Sequence, residues 1–183
     1  MKELTQELLK ELLHYNPETG VFTWKARAEK HFKTYKSFKV WNARFPAKKA
    51  GYYEVKGDYK RELVSILGKR IKSHRLAWLY VYGAYPENQI DHINGIPTDN
   101  RIVNLRDVTN QENCKNVGIS KNNTSGGIGI SWHKASKKWS AYIKHNYKKI
   151  HLGLFLEFDD AVKARKEAEN EYGFHENHGR DKS

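Results

Sequence analysis

Leu4, Leu8, Leu9, Leu12 and Leu13 recur at helical spacing and predict an amphipathic helix over residues 4–14. Asn16-Pro17-Glu18-Thr19-Gly20 predicts a turn, and Val21-Phe22-Thr23-Trp24 a short strand after it. Residues 25–49 are rich in Lys, Arg and aromatics without a clear period, and read as an irregular basic excursion. Tyr52 to Leu67 reads as two strands around Lys56-Gly57-Asp58; Gly68-Lys69 makes a further turn, and Ile71 begins a short strand. Ser73 can cap a helix from His74 to about Tyr82, which ends at Gly83. Val117 to Gly127 contains Ser-Lys-Asn-Asn-Thr-Ser-Gly-Gly, the composition of a linker. Beyond it, 128–132, 138–144 and 149–155 alternate like three strands. Residues 157–171 then read as an amphipathic helix carrying Phe158, Ala161, Val162, Ala164, Arg165 and Ala168. The tail after Gly173 is polar and is expected to fray.

Charge changes this picture more than composition does. Hydrophobic residues make up 38% of the 183 positions and the mean hydropathy is −0.85, so any core is modest. Aromatics, at 13%, supply much of the burial. Thirty-three Lys and Arg against 21 acidic residues leave a formal net charge of +12. Such a bias implies an anionic polymer or a membrane surface as partner. No apolar run approaches the roughly 20 residues that span a bilayer, and the first residues carry acids and no small-residue cleavage site. The single cysteine, Cys114, excludes an internal disulfide and a cysteine-based zinc ribbon, and reads as a small buried hydrophobe. Nucleic acid inside a cell is the leading partner this points to, with no membrane involved.

The chemistry concentrates in residues 90–116, IDHINGIPTDNRIVNLRDVTNQENCKN. Asp91 and His92 end a short strand, and Asn104-Leu105-Arg106 begins a second element twelve residues after His92. Asn113 follows nine residues later in a segment opened by Thr109, a candidate helix cap. Strand, loop, strand, helix is a ββα order. Phosphodiester hydrolysis needs a base near neutral pH, and imidazole suits that task. It also needs a cation to neutralise charge on the phosphate, and Mg²⁺ is held by few protein oxygens. Asp91 offers a carboxylate oxygen and Asn113 an amide oxygen, while Asn104 can bond the backbone of the loop and steady the imidazole.

The Asp-His pair, the asparagine at plus twelve and the asparagine at plus twenty-one resemble the HNH homing endonucleases in their H-N-N form. The resemblance implies His92 as general base, Asp91 and Asn113 as ligands of one divalent cation per active site, and Asn104 as the structural asparagine. Asn113 stands where many relatives carry a final histidine, which favours Mg²⁺ or Mn²⁺ over a softer ion. LLHYNPETGVFTW, GYY and IKSHRLAWLYVYGAYP extend the likeness to phage-encoded HNH endonucleases over roughly residues 9–116. His74 reads as a packed or capping residue before a catalyst. Arg75 and Arg101 are candidates for phosphate contacts.

The strand portion from Trp132 to His151 carries Lys134, Lys137, Lys138, Lys144, Lys148 and Lys149 with no acidic residue, interleaved with Trp132, Trp139, Tyr142 and Tyr147. A basic sheet of this kind can lie in the major groove, with the apolar stripe of 157–171 covering its other face. Gly129-Ile130-Ser131-Trp132, Lys138-Trp139-Ser140-Ala141-Tyr142, His151-Leu152-Gly153-Leu154-Phe155 and Asp160-Ala161-Val162 through Ala168 resemble the plant ethylene-response-factor (APETALA-type) DNA-binding domain. This sequence has fewer arginines on those strands, and lysine reads guanine less well than arginine's planar fork. Leu154 and Phe155 read as core.

The expectation is an α+β chain: a ββα-metal nuclease core preceded by small mixed α/β elements and followed by a three-stranded antiparallel sheet packed on one helix. The domains are 1–116, a linker at 117–127, 128–175 and a polar tail at 176–183. The function expected is a site-biased DNA endonuclease working in a bacterial host of a phage, a monomer or weak dimer whose single site per chain suits nicking. The alternatives are a DNA-binding protein without catalysis, and an RNA-binding protein, for which no RNA module is evident.

Overall fold

The computed structural model describes residues 4–57 and 59–180, so Asp58 of the expected turn and the last three residues of the tail lie outside the described residues. The chain divides into two compact units, Met1–Asp107 and Val108–Ser183.

In the first unit, helix α1 (Gln6–Leu12) is capped by Thr5, whose hydroxyl accepts from the Leu8 amide at 3.3 Å. Its leucines bury Leu8, Leu9 and Leu12. The helix stops one residue later because Leu13 turns extended and opens strand β1 (Leu13–Asn16). The Pro-Glu-Thr-Gly turn pairs β1 antiparallel with β2 (Val21–Trp24), and the Asn16 side chain accepts from the Glu18 and Thr19 amides. Strands β3 (Gly51–Lys56), β4 (Tyr59–Ile66) and β5 (Lys69–Lys72) form an antiparallel sheet in that order. Helix α3 (Ser73–Tyr82) packs on it and ends at Gly83, φ +81°, as the sequence predicts. Strands β6 (Gln89–His92) and β7 (Leu105–Val108) make a two-stranded sheet. Leucines of α1 and β1 meet Phe22, Val64, Ile66, Leu76, Leu79 and Leu105 in one core. Burying each such side chain contributes about 1.5–3 kcal/mol.

Two expectations for this unit are corrected. Residues 25–49 are not wholly irregular: α2 (Tyr35–Arg44) forms there, capped by Thr34. Phe38, Trp41 and Phe45 stand at helical spacing, and Trp41 stacks on Phe45 at 4.2 Å. The Arg27 guanidinium lies 4.6 Å from the Trp24 ring and 3.8 Å from the Trp41 ring, and burial lowers its pKa to about 10. Ser73 is not the cap of α3. Lys72 holds that position, and Ser73 is the buried first helical residue, its hydroxyl without a hydrogen-bond partner.

In the second unit, α4 (Asn110–Cys114) opens with a complete capping box: Thr109 accepts from the Glu112 amide, and the Glu112 side chain accepts from the Thr109 amide. Strands β8 (Ile130–His133), β9 (Lys138–His145) and β10 (Lys148–Phe155) form an antiparallel sheet with β9 central. Helix α5 (Phe158–Glu171) covers one face through Ile130, Ala141, Ala161, Trp139 and Phe158. A β-bulge between His151 and Gly153 shifts the register, so Leu154 pairs with Ser140 on the open face and is exposed, against the expectation of a core residue. Phe155 does pack in the core. The tail does not fray over its described part: Gly179 donates to the Val117 carbonyl, Ile119 to the Arg180 carbonyl, and His178 is buried. Cys114 is exposed rather than buried.

Candidate active site

His92 ends β6 and is buried, and Asp91 beside it is buried too. Arg106 on β7 donates to Asp91 Oδ2 through both Nε, at 2.9 Å, and Nη2, at 2.7 Å. Sequence reasoning assigned Arg106 no role; the signal was its place on the strand that pairs with β6. Asn104 holds the intervening loop shut. Its Oδ1 accepts from the Asn94 amide at 3.0 Å, its Nδ2 donates to the Asp99 carbonyl at 2.9 Å, and its own carbonyl accepts from the Ile93 amide.

Around the imidazole stand residues from far along the chain. The His74 ring of α3 meets the His92 ring edge-on, centroids 5.1 Å apart. Asn100 Oδ1 lies 3.4 Å from His92 Nε2, and Asn100 Nδ2 donates to Glu62 Oε2 of β4 at 3.0 Å. Burial pushes His92 below the usual imidazole range, partly offset by the Asn100 bond and by Asp91 and Asp99. Burial, then the neighbouring charge of His92, drives His74 down to about 3. Both rings are therefore neutral at pH 7, so His92 has a lone pair to accept a proton.

These shifts carry a stability prediction. A histidine whose folded pKa is depressed takes up its proton only in the unfolded state as pH falls below about 6.5, so stability drops from there toward about 3. The loss from His74 alone is roughly 2 kcal/mol between pH 7 and 5. His74→Gln should shrink that difference, read as the denaturation midpoint at the two pH values. Equal stability of the unmutated protein at pH 7 and 5 would contradict a buried neutral pair.

Arg75 is half-buried with its guanidinium 5.4 Å from the Tyr85 ring, and Arg101 is held by both oxygens of Asp99, at 2.8 and 2.6 Å. That pairing holds the Asp99 carboxyl down to about 2. Asn113 stands on α4 in the second unit, half-buried. On the sheet of that unit, strand alternation puts Lys138, Tyr142, Lys144, Lys149 and His151 on the face away from α5. Lys149 Nζ sits 3.9 Å from the Tyr142 ring. Lys134 and Lys137 flank the β8–β9 turn and Lys148 the β9–β10 turn. Trp132 falls on the helix side instead, edge-on to Trp139 at 5.2 Å and half-exposed.

Residues 72–115, which contain Asp91, His92, Asn104 and Asn113, match the family model described as HNH endonuclease. Over 86 residues the chain is 34% identical to Protein 3.8 of Escherichia phage T7, covering 44% of this chain and 71% of the phage protein. The chain belongs to the family of that phage protein. The matched HNH segment supports a nuclease, and HNH nucleases generally use a divalent metal. No solved structure matches this member of the Protein 3.8 family. No helix among its described residues is long and apolar enough to cross a membrane.

The donor chemistry of the site fits a hard cation. Among the described residues no group of three or more His, Cys, Asp or Glu stands together. The Asp91 carboxylate is an oxygen donor that suits an ion taking most of its ligands from water and substrate. Asp91 could serve Arg106 and a cation together, since a carboxylate has about four lone-pair directions.

Proposed function

We propose that the chain is a metal-dependent DNA endonuclease of the HNH class. The observation that carries this reading is a buried, neutral His92 beside the Asp91 carboxylate, on a loop locked by Asn104, inside the segment that matches the HNH model. His92 accepts the proton of the attacking water. Asp91 and Asn113 would hold one Mg²⁺ or Mn²⁺ ion, which would supply positive charge to the scissile phosphate. On this reading the nuclease domain runs to residue 116 and takes α4 with it, as a ββα-metal core. Hydrolysis leaves a 5′-phosphate and a 3′-hydroxyl. One site per chain makes nicking the elementary event, by a monomer or weak dimer acting on double-stranded DNA in the bacterial host of a phage. Arg75 and Arg101 contact phosphates near the cut.

The second unit grips the duplex in the manner of an ethylene-response-factor domain, and it biases a homing-type enzyme toward its site. Its open sheet face presents Lys138, Lys144 and Lys149, with Lys134, Lys137 and Lys148 at the turns. Replacing Lys138, Lys144 and Lys149 together by alanine should weaken binding and reduce the slope of log affinity against log salt by roughly 0.9 for each phosphate no longer neutralised. An unchanged slope in a binding titration would remove the sheet from the interface.

The deciding assay incubates the protein with supercoiled plasmid in Mg²⁺, in Mn²⁺ and in EDTA. Nicking or linearisation with metal but not with EDTA is expected. Binding without cutting in either metal, across plasmids bearing candidate target sites, would instead favour a DNA-binding protein without catalysis.

A further inference from the structure

Asn100 is an asparagine whose carbonyl and side-chain amide are both held. It is 2% exposed. Its carbonyl accepts from the Tyr15 hydroxyl at 2.7 Å, and burial raises the Tyr15 pKa to about 12, so the phenol stays a donor. Gly20, at φ +72°, lets the β1–β2 turn press against the same backbone: a Cβ there would stand 2.5 Å from the Asn100 carbonyl carbon and the Arg101 amide. The side-chain amide lies between Glu62 and His92.

Glu62 decides which way that amide points. A carboxylate accepts and does not donate, so it must face the NH₂ group. Asn100 Nδ2 meets Glu62 Oε2 at 3.0 Å, and the Oδ1 atom is thereby turned to His92. An oxygen facing Nε2 requires the proton on Nε2, which places the basic lone pair on Nδ1. Glu62 is itself a built feature. It is 5% exposed, and Lys49 Nζ, 2.6 Å from Oε1, supplies its counter-charge. Diagonal to it on β3, Gly51, which pairs with Val64, leaves the room it occupies, since a Cβ at Gly51 would lie 2.8 Å from the Glu62 carboxyl carbon.

We propose that Glu62 and Asn100 are positioning residues that fix the Nε2–H tautomer and the ring orientation of His92, with Lys49 and Gly51 holding the carboxylate in place. The inference rests on the general-base reading of His92 and adds the residues that prepare that base. Neither residue touches the reacting atoms; each acts through the imidazole. Replacing Glu62 by an apolar side chain leaves the amide only its long 3.5 Å bond to the Thr98 carbonyl, weak enough for it to rotate and present NH₂ to Nε2. That geometry favours the opposite tautomer.

The test compares Glu62→Met, Asn100→Ala, Gly51→Ala and Glu62→Gln with the unmutated protein. Single-turnover cutting should fall about 10-fold to 100-fold in the first two. DNA affinity in EDTA should not change. Gly51→Ala removes no polar group and should reproduce part of the loss by displacing the Glu62 carboxylate. Glu62→Gln retains an acceptor and should restore most of the rate. The ¹⁵N spectrum of the His92 ring should show a protonated Nε2 in the unmutated protein and in Glu62→Gln, and a tautomer mixture in Glu62→Met. A rate loss with the tautomer unmoved overturns the proposal, as does a tautomer change without a rate loss. His92→Ala run alongside separates the two readings: if it cuts at the full rate, the general-base assignment itself has failed.

Discussion

His92→Ala is expected to lower the rate of DNA cutting by about 10²- to 10⁴-fold, the usual contribution of a positioned acid or base, while leaving DNA affinity in EDTA unchanged. The imidazole is buried and neutral, so it adds no charge to the DNA-binding surface. On the proposed function, its loss removes the acceptor for the water's proton. Asp91, Asn104 and Arg106 make their loop and strand bonds without the ring, so the site should otherwise keep its shape. Single-turnover cleavage of a labelled duplex, with binding measured separately, checks this. A matched loss of affinity and rate would mean that His92 is a packing or contact residue and not the base.

Phe22→Ala is expected to destabilise the first unit by about 3–5 kcal/mol, the range for truncating a buried phenylalanine. Phe22 is 1% exposed, packs on the Tyr15 ring at 4.8 Å, and meets the Tyr80 ring edge-on at 6.2 Å. A domain's whole stability is about 5–15 kcal/mol, so one such cavity takes a large share of it. The loss should also reach the chemistry, because the Tyr15 hydroxyl holds the Asn100 backbone. Tyr147→Ala is the control: that ring is 84% exposed, and its removal should change stability by no more than about 0.5 kcal/mol. Urea denaturation of both variants decides it. A cost below about 1 kcal/mol for Phe22→Ala would show that the leucine-rich core closes over the gap.

Which residues make the site divides along the range of the interactions involved. The local placement of Asp91, His92, Asn104 and Thr109 was readable because it rests on near neighbours: a strand end, a loop bonded across a few residues, a helix cap with Glu112 three positions on. The same holds for the end of α3 at Gly83 and for the strands of the second unit. Where the reading failed, a competing local signal hid the answer. Dense charge obscured the helical spacing of Phe38, Trp41 and Phe45 in α2, and the bulge before Gly153 turned Leu154, read as core, to the open face.

By itself, then, the sequence determined the order of the elements other than α2 and the basic character of the chain, since each depends on neighbouring residues or on composition alone. Only the tertiary structure decided that Glu62, thirty-eight residues before Asn100, would turn that amide toward His92. Only it brought His74 against the same ring and Arg106 against Asp91. Nothing in residues 60–75 marks Glu62 as different from any other acid on a strand. Its meaning comes from burial, because a carboxylate out of water must find its counter-charge and its donors, and those lie wherever the folded chain places them.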